Sequence, residues 1–477
     1  MLIRHTLEVI GRRMNMCLLG LLGVAALVLG LLLSPMSGPF QAAASGQASW
    51  LTYMGNNAHT GFNGSEAALN PASAHHLKLH WKYKAGGPVS SQVMVDDGKL
   101  YWGSWDGYEH ATDLQGHQLW QTSLGTDAPR GCFPPRAGVA SPATITTLPI
   151  QGQRTRVVLV GGGNARFYAL NAANGHVLWS TALGKAPDYM IWGGASVYKG
   201  SVYVGISSYG DCPLVAGKFY KLDASTGAIE HTFTTVPAGC VGGGIWMTPT
   251  IDEARNSVYI TTGTLSTCKP YEKFAYALLE FNADDLSPRN SWQIPPAEQS
   301  GDGDFGSTPT LFTATIQGHT QPLIGAVNKN GFYYALNRDH LSSGPVWKVR
   351  VTTPEVNDKS SISSSAWDGK QLYIANSHTV IAGRDCAGGV RAVNPATGAF
   401  LWEHCMPGKI QGSVMAVPGM LAVGSGNFII ALDTGTGRQA FAYNDQDKAS
   451  LFWGTPTICN GMLYMGNRDG LLYAFGL

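Results

Sequence analysis

The sequence predicts an all-β chain folded as an eight-bladed propeller, preceded by an apolar N-terminal signal or anchor segment. Three observations carry that prediction. First, a short pattern recurs eight times: an apolar strand end, an Asn or Asp, a Gly a few residues on, and a Trp or Phe closing the next strand. Its best copy runs from Ala169-Leu170-Asn171 through Gly175 to Trp179. Second, a small-Pro-small step lies upstream of most copies, as in Ser141-Pro142-Ala143, Thr248-Pro249-Thr250, Thr308-Pro309-Thr310 and Thr455-Pro456-Thr457. Third, 60 glycines and only 13% charged residues in 477 suit many tight turns between largely buried strands.

Each copy reads as a hairpin. The Asn or Asp side chain bonds its own backbone in the turn, and Gly takes the left-handed position without a Cβ clash. The two flanking strands then pair. Further copies are Ala392-Val393-Asn394 with Gly398 and Trp402, and Ala431-Leu432-Asp433 with Gly437 and Phe441. Looser ones centre on Asp113 with Gly116 and Trp120, Asp223 with Gly227, and Asn337 with Gly344 and Trp347. Asn282 with Trp292 has lost its Gly, and Tyr473-Ala474-Phe475 is cut off by the C-terminus. With the upstream strand pair, each unit holds four strands and repeats every 39 to 59 residues, the size of a propeller blade. A solenoid of stacked hairpins would leave the truncated last unit with a free edge. In a ring, an N-terminal strand near Trp50-Leu51-Thr52-Tyr53 completes it.

Residues 1–44 read as a signal peptide or signal anchor and residues 45–477 as the propeller. Arg12-Arg13 precede an apolar run from Met16 to Leu33, and Pro35, Pro39 and Gln41-Ala42-Ala43-Ala44 follow it with an Ala-x-Ala cleavage pattern. The domain is therefore expected to be extracytoplasmic: secreted, periplasmic or anchored to the outer face of the cell membrane, which it meets only through the N-terminal segment. Net charge is +1, and the leader holds Arg4, Arg12 and Arg13 against Glu8, so the remainder is close to neutral and offers nothing to nucleic acid.

In an oxidising compartment disulfides are the default. Cys386 and Cys405 face each other across the Asn394-to-Gly398 hairpin and form the clearest pair. Cys132, Cys212, Cys240 and Cys268 can supply two more bridges of open connectivity, and Cys459 remains as a buried free thiol. No Cys-x-x-Cys or Cys-x-x-Cys-His occurs, which removes zinc ribbons and c-type haem. His75, His76 and His80 have no Cys or acid at ligand spacing, and Gly301-Asp302-Gly303-Asp304 lacks the later acid of a calcium loop and reads as a turn.

The Ala-x-Asp/Asn…Gly…Trp repeat resembles the tryptophan-docking motif of the quinoprotein dehydrogenases, whose eight-bladed propellers bind pyrroloquinoline quinone (PQQ). The resemblance covers nearly everything from Trp50 to Leu477, and the opening through Leu77-Lys78-Leu79-His80-Trp81 is similar to the polyvinyl-alcohol dehydrogenase branch. It implies a quinone lying in the axial funnel. Trp246, after Gly242-Gly243-Gly244-Ile245, matches the Trp beneath the quinone, and Lys329 the basic residue that polarises its oxygens. Cys132-Phe133-Pro134-Pro135-Arg136 is similar to the cofactor-capping cysteine motif, with Arg136 as a fork for a PQQ carboxylate.

The departures from the family concern calcium and the base. The adjacent cysteine pair is reduced to Cys132. Asp211 stands near the expected metal-binding Glu, and Thr264 replaces the expected Asn. Tyr276 takes the place of the acid, leaving Glu272 as the nearby substitute base. Two function classes follow. One is a quinoprotein oxidoreductase for alcohols or polyols, small or polymeric, with PQQ, an atypical calcium site and a separate electron acceptor. The other is a non-catalytic binding or scaffold propeller for a protein or glycan.

Overall fold

A computed structural model of the chain describes residues 48–264, 268, 272–352 and 361–477. The expected signal or anchor segment, residues 1–44, lies outside them, and among the described residues no helix is long and apolar enough to cross a membrane. The strands form eight antiparallel sheets; seven have four strands, and the third blade gains Tyr189–Met190 as a fifth. The innermost strands, defining blades 1 to 8, are Met94–Asp96, Thr144–Ile150, Ser196–Tyr198, Thr250–Asp252, Thr310–Ile316, Ala366–Trp367, Met415–Val417 and Thr457–Cys459.

Blade 8 corrects the expected closure. Its outer strand is Lys78–Lys84, paired antiparallel with Leu471–Gly476, whereas Trp50 makes only an isolated bridge to Val95. The reason is the docking residue. Trp81 sits in Lys78–Lys84 and lays its indole on the turn of blade 1, where a Cβ on Gly116 would stand 2.9 Å from the ring, and its Nε1 donates to Leu114 O at 2.9 Å. Trp50 instead lays its indole on Gly55, where a Cβ would stand 2.4 Å from its Cη2.

The same contact joins successive blades. Trp120, Trp179 and Trp402 cover Gly175, Gly227 and Gly437, donating to the carbonyls of Ala172, Ala224 and Thr434 at 3.1, 3.1 and 2.8 Å. Gly175 has φ 73°, so its conformation and the indole both exclude a side chain. In blade 7 a Phe takes that position, and Phe441 packs edge-on against Phe475 at 5.8 Å; in blade 3 the position holds His231, and Phe233, two residues on, packs edge-on against Phe281 at 4.8 Å.

The small-Pro-small step builds an inner belt. Gly194 N donates to Thr248 Oγ1 at 2.9 Å, Thr248 N to Thr308 Oγ1 at 3.1 Å, and Thr308 N to Ser364 Oγ at 3.0 Å; each bond links one blade to the next. Ser364 N to Ser413 Oγ and Ser413 N to Thr455 Oγ1 continue it at 2.8 and 3.1 Å. Running alongside, the Thr250 hydroxyl donates to Pro309 O at 2.6 Å and Thr457 to Val93 O at 2.7 Å. The proline has no N–H to leave unpaired near the axis, and its carbonyl takes the neighbour's hydroxyl.

Residues 50–63 form a strap across the innermost strands, and within it His59 Nε2 meets Pro249 O at 2.9 Å. It bonds the second residue of every innermost strand. Leu51, Asn57, Ala58, Thr60 and Gly61 accept from the amides of Ile145, Ile251, Leu311, Trp367 and Ala416 at 2.7 to 3.0 Å. Trp50 exchanges two bonds with Val95, and the Asn57 and Asn63 amides reach Val197 O and Ile458 O.

Three disulfides are formed: Cys386–Cys405 as expected, with Cys132–Cys212 and Cys240–Cys268 resolving the open connectivity. Cys459 is free and buried.

Candidate functional site

Four residues before each innermost strand, one residue per blade lines a shared cavity: Ser90, Ala140, Trp192, Trp246, Gly306, Ile362, Gln411 and Trp453. Because the positions are equivalent in all eight blades, the cavity they share lies on the ring axis. They enclose a chamber of about 170 Å³ closed below by Tyr53 of the strap, whose hydroxyl meets Ser413 Oγ at 2.7 Å. Above them opens a funnel of about 440 Å³.

Trp246 and Lys329 meet there. Gly306 makes room for the indole, since a Cβ on it would stand 2.9 Å from Trp246 Cη2. The Lys329 ammonium lies 5.3 Å from the Trp246 ring centroid. It is held by Asp302 Oδ1 at 2.7 Å and Asp304 Oδ2 at 2.9 Å. Burial pulls the ammonium's pKa down, but the charges of Asp304 and Asp302 outweigh it and raise the pKa above the ordinary lysine value, so Lys329 is a fixed cation. Asp304 is buried and its other oxygen accepts from Thr264 N at 2.6 Å. Gly263 permits this approach, because a Cβ there would lie 2.5 Å from Asp304 Oδ1.

Asp211 lines the funnel in the turn after Ser201–Ser208. Its backbone is left-handed, φ 58°, and Ser208 Oγ donates to its carboxylate at 2.5 Å. The neighbouring Cys212 is bridged to Cys132, which brings Phe133 and Pro134 onto the same wall. As a whole residue Asp211 is exposed, yet the funnel walls desolvate its carboxyl enough to push the pKa up; Asp304 and Asp302 add to this, and Ser208 and Lys329 oppose it. Among the described residues it forms no ion pair.

Trp246, Lys329, Asp211 and Thr264 are therefore gathered in one funnel. Arg136 and Glu272 are not. Arg136 is exposed, its Nη2 reaching Thr126 Oγ1 at 3.4 Å, and Glu272 sits beside the Cys240–Cys268 bridge. Cys132 contributes through its disulfide rather than as half of an adjacent pair. Asp302, Asp304 and Arg468 are funnel residues that sequence reasoning missed. The Gly301-to-Asp304 turn exists, but its acids face Lys329, and nothing in the run itself sets it apart from a solvated turn. Arg468 stacks over Trp453 at 5.2 Å and gives the funnel its second cation.

Fold and funnel together define an eight-bladed propeller of the quinoprotein dehydrogenase type. The PQQ_2 family, described as outer membrane protein assembly factor BamB, matches residues 63–189, 106–244 and 387–476, and the chain belongs to it. It is 25% identical over 469 residues to a polyvinylalcohol dehydrogenase of Sphingopyxis sp. (strain 113P3), covering 83% of this chain and 69% of that protein. A quinohemoprotein alcohol dehydrogenase structure from Comamonas testosteroni superposes with TM-score 0.74 at 18% identity, over 91% of this chain and 81% of the other. BamB from Moraxella catarrhalis superposes with TM-score 0.58 at 16% identity, over 84% of this chain and 100% of the other. At these identities the structural likenesses speak for the fold.

Proposed function

We propose that the chain is a quinoprotein oxidoreductase acting on the hydroxyls of alcohols or polyols, with Trp246 beneath the quinone and Lys329 polarising its oxygens. One observation carries this reading: an indole face on the ring axis with a buried, charge-locked ammonium beside it. A flat conjugated ligand stacks on indole, and the funnel's volume falls in the range of about 300–1,000 Å³ usual for small-ligand sites. These residues fit a planar quinone, which when bound would supply the two-electron acceptor. They do not fit calcium. A hard dication takes about six to eight oxygens, but Asp302 and Asp304 already hold Lys329, leaving Asp211 as the one funnel carboxylate without a cation.

The chain's own residues then divide the work. Oxidation takes a proton from the substrate hydroxyl and two electrons with the carbon-bound hydrogen. Asp211 accepts the hydroxyl proton in place of Glu272, and its raised pKa makes it a stronger base than an ordinary aspartate. Lys329 faces the negative charge that grows on the acceptor oxygens. Trp105, Trp192 and Trp453 line the funnel and limit water. Electrons leave to a separate acceptor. Three disulfides support an extracytoplasmic location, secreted, periplasmic or membrane-anchored through the N-terminal segment.

A second reading, a non-catalytic propeller that binds a protein or glycan, draws on the absence of Arg136 and Glu272 from the funnel. Turnover separates the two. Quinone-loaded protein given an artificial electron acceptor should oxidise alcohols or polyols, and Asp211→Asn should lose about 10²-fold or more while still binding quinone. Quinone binding without turnover of any alcohol would favour the second reading.

A further inference from the structure

We infer that the Lys329 ammonium occupies the role of a divalent cation in this funnel, so that a planar quinone binds here without any metal. This rests on the quinone reading above and concerns what charge the protein itself provides. Three observations support it. The ammonium is fixed rather than loose: it is buried, and two carboxylates hold it at 2.7 and 2.9 Å over the Trp246 face. The acids that would ligate a metal are spent on it, and Asp304 also accepts from Thr264 N at 2.6 Å with its remaining oxygen. Finally, among the described residues the one group of three His, Cys, Asp or Glu side chains whose ligand atoms lie within 4.8 Å of one another is Cys240, Cys268 and Glu272. Two of those are consumed by their disulfide. Asp211, Asp302 and Asp304 do not converge in that way, and the chain next to Thr264, residues 265–271, contains no Asp, Glu or His.

The chemistry follows from the lysine inventory. An ammonium has three N–H donors. Two are taken by Asp302 and Asp304, and the third serves an acceptor lying flat on the indole. A carbonyl oxygen of a planar ortho-quinone is such an acceptor. Lys329, a permanent cation whose pKa is held high by the acids, would face the negative charge such an acceptor gains on reduction. No metal has to be recruited, and none would be tolerated between carboxylates already bridged by an ammonium.

The test is a titration of PQQ into the full propeller, following tryptophan fluorescence, in EDTA and again in excess calcium. Saturable quenching in EDTA, with a midpoint within twofold of that in calcium, is expected. Lys329→Met should weaken it tenfold or more in both buffers, and Lys329→Arg should retain part of it. Because Lys329→Met leaves two acids unpaired, its fold is checked by circular dichroism, and Asp302→Asn/Asp304→Asn/Lys329→Met serves as the charge-balanced version. Quenching that requires calcium would overturn the inference and leave the quinone reading intact. No quenching in either buffer would overturn both.

Discussion

Glu109 makes a quantitative test of how the blades are packed. It lies on the third strand of blade 1, fully buried, and both carboxylate oxygens lack a partner. The same position in other blades, four residues before the turn Asn or Asp, holds Phe167, Phe219, Leu278 and Tyr333, all buried. The slot is thus shaped for an apolar side chain. Burial drives the Glu109 pKa well above its ordinary value of 4.5, so the folded chain keeps a proton that the unfolded chain loses. Folding therefore takes up a proton in the window between the ordinary and the raised pKa, and stability falls as pH rises through it.

Replacing the residue with leucine removes both penalties. An unsatisfied buried polar group costs about 1–3 kcal/mol at any pH. The proton linkage adds about 1.4 kcal/mol for every pH unit of the window. Denaturant midpoints of wild type and Glu109→Leu, taken at pH 5, 6, 7 and 8, should show the variant more stable throughout, with an advantage that widens as pH rises. A variant less stable than wild type, or an advantage that does not change with pH, would refute the reasoning. Arg391 is the instructive contrast, a buried charge whose guanidinium bonds Asn376, Thr379 and Glu403; it needs its charge.

Two further outcomes are expected. Trp402→Ala removes an indole packed on the Gly437 turn together with its bond to Thr434 O, and should lower stability by about 3–5 kcal/mol, whereas Trp402→Phe should recover much of it, both read by denaturant midpoints. Gly306→Val sets a Cβ 2.4 Å from Ile362 Cγ2 and 2.9 Å from Trp246 Cη2, so PQQ quenching should fall at least tenfold while far-ultraviolet circular dichroism still shows the folded ring.

The blades were legible because their grammar is local. An Asp or Asn, a Gly and a Trp within about a dozen residues state a turn and the indole that covers its neighbour's turn, so the repeat announces fold and ring together. The Thr-Pro-Thr steps were equally visible, but that they belt one blade to the next emerges only once the strands stand side by side. Closure was misassigned for a related reason. Trp50 and Trp81 both look like strand residues, and only the position of the blade 1 turn decides that Trp81 docks. In the funnel, Trp246 and Lys329 could be found through motif positions. Asp302 and Asp304 could not, because the residue that gives them meaning lies 27 and 25 positions away in the loop of the next hairpin, and a Gly-Asp-Gly-Asp run is indistinguishable from a solvated turn. Arg136 is the opposite case: its motif is present, but its loop, tied at Cys132 to Cys212, presents Phe133 and Pro134 to the funnel.

The strap also dictates an order of events. Residues 50–63 leave the ribosome before any blade exists, yet the partners they need are spread along the chain as far as Ile458, and Ala48 N bonds Asn460 across 412 positions. Lys78–Lys84 must likewise wait for Leu471–Gly476. Contacts of such long range are slow to form because the loop entropy is lost before the bonds reward it. The first residues of the propeller are thus among the last to settle, and a chain released without its final hairpin would leave Lys78–Lys84 as an unpaired edge. Emergence of Leu471–Gly476, rather than any earlier blade, is the event that locks the ring.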